Sequence, residues 1–181
     1  MSGIHFIADN HLSADTPALK MLLLQNMAEW LGKIDALYFL GNFFGVWLGD
    51  DIRHHVAEEL VATLQAFSTR TPVYVQHGSH DFLLGADFAQ RAGVTLLPEV
   101  ASLQAYGQNI VLLHGDALYP HSPEQADFRT LSRTPAWQAQ IAHTPVPERK
   151  QTLAQHIIQH THQPDATQPI AEARLEALLD T

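Results

Sequence analysis

Two hydrophobic periods alternate along the first hundred residues. Short apolar runs that end in polar residues, "GIHFIAD", "DALYFLG" (35–41) and "TPVYVQHGSHD" (71–81), read as buried strands. Between them, residues 17–32 and 52–69 repeat apolar positions every three to four residues, the period of a helix with one buried face. Pro17 suits a helix start. "DFLLGADFAQRAG" predicts a short helix closed by Gly93, followed by an extended "VTLLP". "SLQAYGQNIVLLHGD" predicts two strands joined by a turn at Gly107-Gln108-Asn109. Strand and helix alternate up to about residue 98, so the expected fold class is α/β with a largely parallel sheet.

After Asp116 the pattern changes. Residues 123–163 are polar and rich in Gln, His and Pro, with helical stretches expected near 123–132, 136–143 and 147–160. "QPDATQP" reads as a loop and "IAEARLEALLD" as a final amphipathic helix. The division is a core over 1–122 and a helical cap over 123–181 within one domain, without internal repeats or a long linker.

Strand exits carry the chemistry. Asp9-Asn10-His11, Gly41-Asn42, Gly78-Ser79-His80-Asp81 and His114-Gly115-Asp116 each follow an apolar run. In a parallel sheet ligands gather outside the carboxyl ends of the strands, so these groups should converge. Asp-x-His offers an oxygen and a nitrogen to one metal ion, while position 42 is placed to bridge two. Only a carboxylate brings the charge that holds two divalent ions a few Å apart, and position 42 is an amide.

Composition narrows the chemistry. The 181 residues are 46% apolar and 16% charged, as in an ordinary globular protein. No apolar run approaches the roughly 20 residues of a membrane span; "ALKMLLLQNMAEWLGKIDAL" is interrupted by Lys20, Gln25, Asn26 and Glu29. The N-terminus lacks the basic-then-apolar order of a signal peptide, which gives a cytoplasmic expectation with at most peripheral membrane association. A net charge of −9 argues against nucleic acid as a partner. With no cysteine, any metal must be held by His, Asp, Glu or amide oxygen. Of the 12 histidines, His54, His55, His80 and His121 are simplest as surface residues, and Trp30, Trp47, Trp137 and Phe43 as core or cleft lining.

The strand-exit motifs, together with "DALYFLGNFFGVWLGDD", "HGSHDFLLGADFAQRAGVTLLPE" and "VLLHGDALY", resemble the calcineurin-like metallophosphoesterases, most closely the UDP-2,3-diacylglucosamine pyrophosphohydrolases of lipid A biosynthesis. The similarity runs from the N-terminus to about residue 154 and more weakly beyond. That family's motifs are D-x-H, G-D, G-N-R-D, H-G-D and a final G-H-T-H. The resemblance implies a metallophosphoesterase-like α/β sandwich, here with an incomplete second sheet and a helical cap. It also implies a manganese centre whose hydroxide attacks a pyrophosphate phosphorus, giving UMP and a lipid phosphate.

By the same resemblance the metal positions are Asp9, His11, Asn42, Ser79 and His114. Asn42 replaces the bridging Asp, and Ser79 replaces the amide ligand of the second metal. His80 stands for a phosphate-facing Arg and Asp81 matches, the two lying in the family's substrate-side motif, and Asp116 follows His114. The substrate-contacting positions fall on His80, Ser122, Gln125, His160 and Thr167, each with a changed residue type. "QHTHQP" (159–164) resembles G-H-T-H-R-P, and a gapped alignment makes His160 and His162 the last two ligands. The ungapped alignment, preferred because "ERKQTLAQHIIQHTH" is polar and helical, places them on the cap instead.

The expectation is a pseudoenzyme with a binding or regulatory role, its manganese lost or reduced to one weak ion, and a UDP-sugar lipid or nucleotide as ligand. Two alternatives stand beside it. One is an active phosphoesterase with an altered, single-metal site; the other is a structural subunit that covers its open sheet edge by forming a homo-oligomer.

Overall fold

The computed structural model describes residues 2–118 and 123–158. Strands β1 (Ile4–Ile7), β2 (Ala36–Leu40), β3 (Val73–Gln76) and β4 (Thr95–Leu96) form one parallel sheet in the order β1-β2-β3-β4. The crossovers hold α1 (Pro17–Trp30), α2 (His55–Ser68) and α3 (Ala86–Ala92). Strands β5 (Ala101–Ala105) and β6 (Gln108–Leu112) make an antiparallel hairpin. Helices α4 (Pro123–Ser132), α5 (Pro135–Ala142) and α6 (Val146–Ile158) follow.

The parallel register pairs Phe6 with Tyr38 and Tyr38 with Tyr74, so alternate side chains of neighbouring strands share a face. On one face Leu37, Phe39, Val73 and Val75 pack with Leu23 and Met27 of α1, Leu60 and Leu64 of α2, and Phe88 of α3. On the other, Ala36 and Tyr38 meet Ala101 and Leu112 of the hairpin, and Tyr38 stacks on Tyr74 with ring centroids 4.5 Å apart. This is the expected α/β class: helices, a parallel sheet and a smaller second sheet. The hairpin does not reach across the whole sheet, and Phe6 of β1 remains 41% exposed on that face.

Most elements fall within three residues of their expected bounds, but β3 ends at Gln76 rather than Asp81, α3 begins at Ala86 rather than Asp81, and β6 ends at Leu112 rather than Asp116. The expected loop and final helix beyond residue 162 lie outside the described residues. The hairpin needs its own correction. Its turn is Tyr106-Gly107, not Gly107-Gln108-Asn109, because Ala105 pairs with Gln108 across a two-residue loop. Both loop residues have positive φ (51° and 77°), the geometry that matches the right-handed twist of a hairpin. Tyr106 tolerates it with its hydroxyl bonded to the Asp35 carboxylate. Gly93 closes α3 with φ 66°, as expected.

Helix α6 is fastened to the core in two ways. Leu153 and Ile157 of α6 pack against Phe82, with Leu48, Leu83, Phe128 and Trp137 around them. Arg149, only 2% exposed, donates to the carbonyls of Leu48 (2.8 Å), Ala142 (2.6 Å) and Thr144 (3.1 Å) and to Asp51 Oδ1 (2.6 Å). An ammonium cannot reach four such acceptors from one plane. Arg149→Lys is therefore expected to lower stability by about 1–3 kcal/mol, read as a shift of the urea midpoint at unchanged slope. An unchanged midpoint would show that the Arg149 bonds contribute little to holding α6 in place.

No helix among the described residues is long and apolar enough to cross a membrane.

Candidate functional site: a polar cluster at the strand ends

The loops leaving β1 and β2 run side by side and are tied backbone to backbone. Asp9 N–H donates to Gly41 O (3.1 Å), His11 N–H to Asn42 O (2.8 Å) and Leu12 N–H to Phe43 O (3.0 Å). Asp9, His11 and Asn42 all have positive φ (56°, 45° and 52°), a region that residues with a Cβ seldom adopt. Strain of this kind persists where surrounding bonds over-determine it, and it clusters at functional sites. Two glycines allow the loops to close: a Cβ on Gly41 would lie 2.3 Å from His114 Nδ1, and one on Gly78 2.2 Å from Asn42 Oδ1.

The bonds that over-determine this region converge on Asp81, which is fully buried. Its Oδ1 accepts from the N–H of Gly78 (2.8 Å) and Asn42 (3.2 Å), its Oδ2 from Phe43 (2.7 Å) and Phe44 (3.3 Å). The motif position that the resemblance associates with substrate is here a clamp between two loops, and Asp81 is not open to a ligand.

Asn42, 5% exposed, is the hub of the cluster. Its Oδ1 accepts from the His80 N–H at 2.9 Å. A backbone N–H can only donate, so the amide orientation is decided, and the NH2 group faces Asp9 Oδ1 (3.0 Å) and His114 Nε2 (3.1 Å). Ser79 Oγ lies 3.5 Å away. His114 Nδ1 donates to the Leu40 carbonyl (2.8 Å), which leaves Nε2 as the lone-pair nitrogen that accepts from Asn42. The two hydrogens of the amide thus meet two acceptors.

His80 is half-buried, not a surface residue as its sequence context suggested; His54 and His55 are exposed as expected. Its Nδ1 donates to the Gly45 carbonyl (2.8 Å) and its ring meets that of His11 edge-on, centroids 4.7 Å apart. His11 Nε2 lies 3.6 Å from Asp9 Oδ1, with those side chains 40% and 59% exposed. Phe43 and Trp47 are core residues, Trp30 packs partly buried against the same core cluster, and Trp137 belongs to the cap cluster. Gln125 is half-buried on α4. Ser122, His121, His160, His162 and Thr167 lie outside the described residues.

Sequence reading missed three contributors. His77 donates through Nε2 to the Leu84 carbonyl (2.8 Å) beside His114. Arg133, in the turn just after α4, reaches the Gly78 carbonyl (2.9 Å) and Asp116 Oδ2 (3.1 Å), so the cap touches the floor of the cluster. Arg129, paired with Asp116 and Glu99, is pulled down to about 10 by burial and then by Arg133. The four-residue spacing of Arg129 and Arg133 in an otherwise polar stretch was the only signal.

Burial is the leading cause that holds both His77 and His80 below the ordinary histidine value of 6.5. Both are therefore neutral in the folded chain where an unfolded chain would take up protons. Stability is full above 6.5 and is lost as pH falls below it. Denaturation midpoints should decline through this window, and His77→Gln should flatten the decline. An equally steep decline in the variant would place its origin elsewhere.

A dinuclear manganese centre does not fit this donor set. Between Asp9 and His114, where a bridging carboxylate would present lone pairs, Asn42 presents hydrogens. A flipped amide would set its NH2 against the His80 N–H. Among the described residues no three His, Asp or Glu side chains already surround one point.

In sequence, the chain is 44% identical over 154 residues to a UDP-2,3-diacylglucosamine hydrolase of Chromobacterium violaceum, a match covering 85% of this chain and 65% of that protein. Proteins of the same name from Shewanella loihica (45% over 145 residues; 80% and 59% covered) and Stenotrophomonas maltophilia (39% over 145 residues; 80% and 58% covered) are similar to it as well. The chain belongs to a UDP-2,3-diacylglucosamine hydrolase-like family. It spans about three fifths to two thirds of the length of these relatives, from 58% to 65%. No family model matches the chain. A crystal structure of a protein of unknown function from Aquifex aeolicus aligns with a TM-score of 0.49 at 17% identity, covering 78% of this chain and 71% of that one.

Proposed function

We propose that this chain is a catalytically silent member of the UDP-2,3-diacylglucosamine hydrolase-like family, acting in the cytoplasm as a binding or regulatory protein. The observation that carries the reading is the Asn42 amide, whose NH2 is turned toward Asp9 and His114 and whose oxygen is held by the His80 N–H. A cluster satisfied internally in this way has neither the charge nor the lone pairs to hold two dications. Without them, hydroxide is not generated at neutral pH and the leaving phosphate is not neutralised. The family membership makes a UDP-sugar lipid or a nucleotide the first ligand to test.

The deciding assay is hydrolysis of UDP-2,3-diacylglucosamine by the purified chain with added manganese. The expected result is no turnover, alongside saturable binding of UDP or the intact substrate in a calorimetric titration. Turnover at about 1 per second or faster, ordinary for an enzyme, would overturn the proposal.

A second reading, an active phosphoesterase with one altered metal site, draws support from His114, whose unprotonated Nε2 is the tautomer a metal ligand requires, although it accepts from Asn42 in this structure. It predicts slow manganese-dependent turnover that His114→Gln abolishes. Homo-oligomerisation over the exposed Phe6 face is a separate proposal, tested by light scattering at several concentrations, where a strict monomer would refute it.

A further inference from the structure

We infer that the open edge of β1 is the seam of a two-fold dimer, in which a second copy of this chain adds its own β1 antiparallel to the first. This dimer is the homo-oligomer proposed above, given its contact, and it rests on that proposal. Strand β1 stands at one end of the sheet order β1-β2-β3-β4, and no described residue pairs with its outer side. Exposed edges are ordinarily blunted by lysine, proline or inward-pointing charge. Ile4-His5-Phe6-Ile7 carries no lysine, no carboxylate and no proline, and Phe6 is 41% exposed.

The backbone selects the register. Gly3 O accepts from the Asp35 N–H (2.9 Å) and the Asp9 N–H donates to Gly41 O (3.1 Å), so the odd-numbered residues of this stretch turn toward β2. Bonding direction alternates along a strand, which leaves the N–H and C=O of Ile4 and Phe6 aimed at the open side. An antiparallel copy uses both residues when Ile4 of one chain opposes Phe6 of the other, with the two-fold axis through His5. Each such pair exchanges two N–H···O bonds. The same register sets the exposed Phe6 ring, 5.2 Å from that of Tyr38, beside an isoleucine of the second copy, a favourable cross-strand pair.

Helix α1 supplies the second contact. Trp30 meets the His5 ring edge-on at 4.5 Å, so the side of α1 that carries Trp30 lies over β1. Leu19, Leu22 and Asn26 share that side at helical spacing, with Leu19 37% and Leu22 54% exposed. An axis normal to the sheet brings the two α1 helices together antiparallel, stripe to stripe. Asp15 ahead of α1 and Lys33 behind it are both exposed, and this arrangement sets the Asp15 end of one helix beside the Lys33 end of the other. Opposite charges and antiparallel helix dipoles then complement each other across the seam.

The test is analytical ultracentrifugation of the full chain over a wide range of concentration, with amide hydrogen exchange read at both extremes. A dimer is expected, and exchange at Ile4 and Phe6 should slow as it forms. Phe6→Lys charges the strand edge and Leu22→Glu the helix stripe; each should raise the dissociation constant at least about tenfold. Leu22→Glu guards against a folding defect, since that side chain lies on the exposed side of α1. Lys33→Glu should weaken the dimer, and adding Asp15→Lys should restore it. A strict monomer would overturn this inference together with the homo-oligomer. A dimer that none of these variants alters, with Ile4 and Phe6 exchanging as fast as in the monomer, would overturn the β1 seam alone. Hydrolysis is read in its own assay, so the silence of the Asn42 cluster stands or falls separately.

Discussion

Asp81→Ala is expected to lower stability by at least about 4 kcal/mol, the largest effect of any single substitution in this site. The carboxylate accepts four backbone N–H groups in a fully buried setting, and alanine leaves all four without a partner. Orphaning one such group costs about 1–3 kcal/mol. Partial rearrangement of the loops recovers some of the sum, yet the remainder is comparable with the about 5–15 kcal/mol that holds a typical domain folded. At roughly 2–4 °C per kcal/mol for a chain of this size, the thermal midpoint should fall by about 8–16 °C, or the variant should fail to accumulate.

Asp81→Asn separates charge from geometry. It keeps one accepting oxygen and turns an NH2 toward the other pair of donors, so it should fall between wild type and alanine. Thermal and urea denaturation of the three proteins measure this order. An alanine variant within 1 kcal/mol of wild type would mean that the loops at 42–44 and 78–81 are held together by something other than this carboxylate.

Asp81 also marks the limit of what the sequence discloses. Its place in a motif was legible, whereas its role was not, because a motif records identity and not where the lone pairs go. The same holds for Arg149. In "PVPERKQTLAQ" it reads as a solvated helix residue, and its partner Leu48 lies 101 positions away in the chain. Burial of a guanidinium is a tertiary event with no local signature. By contrast, β2 and β3 were legible because a strand buried on both faces shows as a continuous apolar run, and α2 because it buries one face at helical spacing.

Convergence of Asp9, Asn42 and Ser79 followed from the parallel sheet, since every strand exit of such a sheet opens at the same end. His114 instead leaves β6 of the antiparallel hairpin and joins them through its Nδ1 bond to the Leu40 carbonyl. What could not be read was the direction of the Asn42 amide. That depends on the His80 N–H, which is presented only after the 78–81 loop has closed onto Asp81. The Tyr106-Gly107 turn was missed for a related reason: a tyrosine at positive φ is disfavoured locally and accepted because Asp35 holds its hydroxyl.

Asn42→Asp reverses the sign of the central interaction and is expected to make the fold depend on metal. The substitution puts a carboxylate oxygen where the amide nitrogen lies 3.0 Å from Asp9 Oδ1 and 3.1 Å from His114 Nε2. Two hydrogen bonds are lost and two like charges come into contact. At 3 Å and an effective dielectric constant near 20 the bare repulsion is about 5 kcal/mol. Asp9 is 59% exposed, so solvent screens much of it, and a net loss of about 2–3 kcal/mol is the reasonable expectation. That corresponds to a fall of about 4–12 °C in the thermal midpoint. Manganese should restore part of the loss in the variant and leave the wild type unmoved, because only the variant places lone pairs of two carboxylates and His114 Nε2 around one cavity. A variant that is as stable as wild type without metal would show that the amide hydrogens contribute little to the cluster. A wild-type midpoint that rises with manganese as much as the variant's would show that Asn42 never closed the site to that ion, and the reading of this chain as a silent hydrolase would fall with it.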